Sequence, residues 1–63
     1  MNLKPMLNKK IRIILIDKLL KRETTLTGIV TEATDDYFWI KTIKKETIYI
    51  PLASYTVKRV DEL

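Results

Sequence analysis

Five β-type runs joined by tight connections leave this chain few ways to fold. They are Lys10 to Asp17, Thr24 to Ala33, Tyr37 to Ile43, Thr47 to Ile50 and Tyr55 to Val60. Each is rich in β-branched, aromatic or Thr residues, which suit a pleated surface. The stretches between them carry breaker or turn chemistry. "KLLKRETT" interrupts the β pattern with charge and leaves Leu19 and Leu20 either at a bulged strand end or at an apolar loop tip. "TDD" is turn sequence, because Asp side chains bond the backbone ahead of them and tolerate unusual dihedrals; Asp35 and Asp36 are read as turn formers. "KKE" reverses the third strand into the fourth, and Pro51, which has no N–H to donate, stops the ladder. "PLAS" has the length of one 3₁₀ turn. The lead-in, residues 1–9, has Leu3, Met6 and Leu7 on one short apolar face, with Pro5 limiting any helix to a brief turn. The expectation is an all-β fold, a strongly bent five-stranded antiparallel barrel over residues 10–63, in one domain spanning 1–63.

The chain's only glycine, Gly28, stands inside the second run, sharing a face with Leu26 and Val30. A strand coiling around a small barrel bends sharply, and a residue without Cβ relieves crowding where another strand crosses closely. A bulge at a sheet edge is the simpler alternative. In either case Gly28 is a backbone residue, since one glycine makes no phosphate cradle.

With 63 residues, the chain buries only a modest core and gains from self-association. It has no Cys and no His, so disulfides, thiolate metal sites and His- or Cys-based catalysis are excluded. No cofactor, no metal site and no enzymatic activity are expected. Twelve Lys and Arg against eight Asp and Glu leave a net charge of +4, which either serves solubility or attracts a polyanion. No apolar run has the length of a membrane span and the N-terminus lacks signal-peptide features, so a cytoplasmic protein with no membrane partner is expected.

The order of strand, "TGIV", acidic turn, aromatic-aliphatic strand and "IYIPLASYTVKRV" resembles the Sm-like fold shared by Sm, Lsm and Hfq proteins. The resemblance covers nearly the whole chain and implies an N-terminal helical turn, an SH3-type five-stranded bent barrel and assembly into rings. Gly28 and Asp35 or Asp36 match the glycine of the family's second strand and the acidic loop after it, although Thr34 occupies the position where the acid usually falls. The family's second RNA-contacting motif, Arg-Gly or Tyr-Lys-His, is replaced here by "YIPLAS". The similarity is therefore closer to small bacterial proteins of Hfq-like fold than to Hfq itself.

Strand alternation sends Phe38 and Ile40 to one face and Tyr37, Trp39 and Lys41 to the other. Phe38 and Ile40 join Ile13, Leu15, Val30, Ile48, Ile50 and Val57 in the predicted core. Tyr37, Trp39 and Lys41, with Tyr49 on the next strand, make an aromatic stripe edged by charge. Three roles fit it: base stacking with Lys41, Lys44 and Lys45 on phosphates, a subunit contact, or an intramolecular surface covered by "LKPML". The remaining basic groups are Lys9, Lys10 and Arg12; Lys18, Lys21 and Arg22; and Lys58 and Arg59. Lys18, Lys21 and Arg22, on a loop, are the preferred phosphate contacts, the alternative being a solvated face. Ser54 lacks a base and reads as a turn residue. The expected function is that of a small homo-oligomeric protein binding single-stranded RNA. The alternative is a module that binds a protein partner through an edge strand or the Trp39 face, including a monomeric accessory domain.

Overall fold

The structure, a computed structural model, describes residues 3–63. A 3₁₀ turn, Lys4–Met6, precedes β1 (Lys10–Asp17), β2 (Glu23–Ala33), β3 (Tyr37–Thr42) and β4 (Thr47–Pro51). A second 3₁₀ turn, Leu52–Ser54, leads into β5 (Tyr55–Glu62). All pairings between strands are antiparallel and make one sheet of five strands in the order β4-β3-β2-β1-β5.

β2 organises the sheet by changing partners. Its first part, up to Ile29, pairs with β1, and from Gly28 to Ala33 it pairs with β3. The handover falls at Gly28, where β3 crosses so closely that a Cβ would lie 2.7 Å from the Lys41 carbonyl carbon and 2.8 Å from the Thr42 Cα. Close approach is therefore the reason for the glycine, and no positive φ is involved. A register shift between Val30 and Glu32 adds further bend to the same strand.

The bend wraps one face of the sheet around a core of Ile11, Ile13, Leu15, Val30, Ala33, Phe38, Ile40 and Ile50, with Ile48, Val57 and Val60 packed against it. Every residue predicted for the core thus lies within or against it. β1 is apolar on both alternating faces after Arg12, a pattern that suits a central strand covered on both sides. Only its inner face is fully buried, while Ile14 and Ile16 on the outer face are half-buried. Above them Lys58 reaches across to Glu23 at 3.2 Å, from strands on either side of β1.

The sheet is bent but open, where closure into a barrel was expected. Among the described residues no ladder joins β4 to β5. The chain instead passes between them through Leu52–Ser54, pinned at both ends: Leu52 N–H donates to the Asp36 carbonyl (2.8 Å) and Lys18 N–H to the Ser54 carbonyl (3.0 Å). Pro51 is the last residue of β4, opposite Tyr37, one position beyond the predicted strand end. β3 in turn stops at Thr42, one residue early, because Thr42 N–H closes the hairpin onto the Glu46 carbonyl at 2.8 Å.

The lead-in does more than cap the sheet. Leu3 is buried in the core, and Asn8 N–H donates to the Val30 carbonyl at 2.7 Å. Among the described residues no helix is long and apolar enough to cross a membrane.

Candidate nucleic-acid interface

Alternation along β3 buries Phe38 and Ile40 and turns Tyr37, Trp39 and Lys41 outward. Trp39 lies opposite Tyr49 of β4, with ring centroids 5.2 Å apart and planes tilted by 51°. Tyr49 also meets Tyr37, at 5.5 Å and 46°. Such tilted pairs are favourable for aromatic quadrupoles, so the three rings brace one another on the outer face. Tyr37 and Trp39 are half-buried and Tyr49 is exposed. The lead-in offered as a cover for Trp39 sends Leu3 into the interior cluster with Phe38 and Ile40.

The Tyr37 hydroxyl donates to Glu32 Oε1 at 3.1 Å. That hydrogen bond, followed by the nearby Glu32 charge, raises the Tyr37 pKa above the usual tyrosine value. The aromatic group thus has an acidic flank at Glu32.

At its other flank lies positive charge. The pairing register sets Lys10 of β1 opposite Ile29 of β2, and Ile29 opposite Lys41 of β3, so the two lysines flank one exposed isoleucine. A shallow hollow is lined by Lys10, Gly28, Ile29, Lys41, Thr42 and Ile43. Arg12 follows Lys10 at the next outward position of β1. Lys44 and Lys45 extend the line from Lys41 into the β3–β4 turn, where Lys45 takes φ 65°. Sequence reasoning grouped Lys10 with Lys9 and Arg12 but did not join them to Trp39. Only the register through Ile29 reveals that neighbour.

The basic residues other than Lys4 divide into two sets. Lys9 pairs with Glu62 (3.1 Å), Lys58 with Glu23 (3.2 Å) and Arg59 with Asp61 (2.9 Å). Lys10, Arg12, Lys18, Lys21, Arg22, Lys41, Lys44 and Lys45 are exposed and have no ion pair among the described residues. The lysines and arginine offered as phosphate contacts, Lys18, Lys21, Arg22, Lys41, Lys44 and Lys45, all belong to this second set. Lys18, Lys21 and Arg22, however, occupy the β1–β2 loop, at the opposite end of β1 from Lys10. The structure separates these preferred phosphate contacts from the Lys10 and Lys41 row.

Asp35 and Asp36 lie in the exposed turn between β2 and β3, yet the hydroxyl that organises it is that of Thr34. Thr34 Oγ1 accepts from Asp36 N–H (3.1 Å) and from Tyr37 N–H (3.2 Å). Asp36 contributes its carbonyl to Leu52, and Ser54 contributes its carbonyl to Lys18. Among the described residues no three acidic groups converge as a metal site would require.

No protein-family model matches the chain, and no curated protein or solved structure matches it.

Proposed function

We propose that the protein is a small, non-catalytic, Sm-like homo-oligomer of the cytoplasm that binds single-stranded RNA on the outer face of β3 and β4. The observation that carries this reading is the adjacency of three mutually braced rings, Tyr37, Tyr49 and Trp39, to the unpaired Lys10 and Lys41. Bases stack on aromatic faces irrespective of sequence, while lysines beside them meet the phosphates. Lys44, Lys45 and Arg12 extend the path in either direction. An Sm-like, SH3-type relationship is supported by the five-strand order, the bend at Gly28 and the pinned 3₁₀ strap between β4 and β5. Filter binding of labelled single-stranded RNA at two salt concentrations tests the reading. Retention should fall steeply as salt rises, because bound phosphates release counterions. No retention at low salt would reject it.

A second reading, a protein-binding module, is favoured by β4 and β5 forming the two ends of the sheet. An edge strand presents backbone groups to a further strand, and Tyr49 on β4 would anchor it. A second copy joined through these edges would also add buried area to a small core. Native mass by light scattering separates an oligomer from a monomeric docking domain.

A further inference from the structure

The β1–β2 loop sets the most exposed large apolar side chain among the described residues, Leu19, and a second exposed leucine next to cations without an ion pair. Leu19 is 87% exposed and Leu20 59%. Isolated exposed leucines are ordinary, but two at one tip, beside Lys18, Lys21 and Arg22, form an amphipathic point. The backbone beneath them is held in place. Asp17 Oδ1 accepts from both Leu19 N–H and Leu20 N–H at 2.8 Å, and the Asp17 carbonyl accepts from Lys21 N–H at 2.8 Å. Lys21 adopts φ 58°, and Lys18 N–H ties the loop to Ser54. Asp17 therefore spends one carboxylate oxygen on the turn itself, and neighbouring Glu23 is occupied by Lys58. Neither acid is paired with the loop cations.

We propose that this loop is a docking point for an anionic lipid surface, with Leu19 and Leu20 entering the headgroup boundary and Lys18, Lys21 and Arg22 meeting lipid phosphates. Charge complementarity selects this occupant. Apolar side chains bordered by basic ones fit the region where acyl chains give way to anionic headgroups. The same loop of a second copy would bring like charges together, and leucine offers no ring on which a nucleic-acid base could stack. A surface contact of this kind needs no spanning segment, and it stands apart from the face proposed for RNA.

The test is co-sedimentation of the full chain with vesicles of phosphatidylcholine alone and of phosphatidylcholine mixed with phosphatidylglycerol. Binding is expected only to the anionic vesicles. Lys18→Glu/Lys21→Glu/Arg22→Glu should weaken it by about a hundredfold or more, and Leu19→Ser/Leu20→Ser by about tenfold. All five positions are exposed, and a retained β-sheet circular dichroism spectrum confirms folding of each variant. In a Trp39→Phe background, Leu19→Trp should shift its emission to the blue on anionic vesicles only. The proposal is overturned by equal binding to neutral vesicles, by no binding to either, or by the Leu19→Ser/Leu20→Ser variant binding like the parent. Loss of RNA retention in the loop variants without any vesicle binding would likewise overturn it and assign the loop to nucleic acid. Vesicle binding with no RNA retention would reject the RNA reading and leave the lipid contact standing.

Discussion

The Cα of Thr42 sits against Gly28 so closely that a Cβ on residue 28 would lie 2.8 Å from it. The neighbouring obstruction, the Lys41 carbonyl, is also backbone and cannot rotate away as a flexible side chain would. Gly28→Ala must therefore push β2 and β3 apart at the point where β2 exchanges β1 for β3. Overpacking of this kind typically costs 1–3 kcal/mol, and the rigid obstruction puts Gly28→Ala at about 3 kcal/mol or beyond. For a domain this small that is a large share of total stability. Urea denaturation followed by circular dichroism should show a much lower midpoint; an unchanged midpoint would remove the close crossing as the reason for the glycine.

The turn between β2 and β3 offers a comparison of hydroxyl and carboxylate. Thr34→Ala removes the acceptor for two backbone N–H groups and should cost about 1 kcal/mol, whereas Asp35→Ala should fall within about 0.5 kcal/mol of the parent. Thermal unfolding of the two variants, measured together, checks the order. The reverse order would return the turn to the aspartates.

Much of the fold was legible because turn chemistry and β-rich runs alternate so regularly. Lys10 to Asp17 appears as a strand with the predicted bounds, and Pro51 and "LAS" lie within one residue of expectation. Gly28 was legible in kind, since a lone glycine in a strand implies a bend or a crossing. Which strand crosses there is a tertiary fact. Leu3 was legible only as part of a short apolar face with Met6 and Leu7; that Leu3 enters the core is a tertiary fact, because a single turn does not name what it packs against. Thr34 was overlooked because two aspartates beside it carry the stronger turn preference. At the candidate site, the ring group was readable from alternation, but Lys10 and Lys41 become neighbours only through their shared partner Ile29. How the strap between β4 and β5 is held likewise depends on where Leu52 and Lys18 place their backbone bonds, which no local pattern encodes.

Tyr37 gives the face a pH signature. Its hydroxyl bonds the Glu32 carboxylate, which favours the neutral phenol and raises the pKa. The folded state holds this proton more tightly than the unfolded chain does. The contribution to stability is whole below the ordinary tyrosine range and is lost as pH rises through the raised value. An ultraviolet absorbance titration should show a late-ionising tyrosine that disappears in Tyr37→Phe and returns towards the ordinary value in Glu32→Gln. An unaltered titration in Glu32→Gln would place the cause elsewhere.

Binding of single-stranded RNA by the ring group and its lysines should be read by the emission of Trp39, the chain's only tryptophan. Titration with a short single-stranded RNA at low salt should quench that emission as bases stack on the outer face. Lys10→Glu/Lys41→Glu should weaken binding and flatten its salt dependence, since each lost phosphate contact reduces the slope by about 0.7 for a single strand. Emission that does not change at low salt, or binding indifferent to both lysines, would contradict the assignment of RNA to this face.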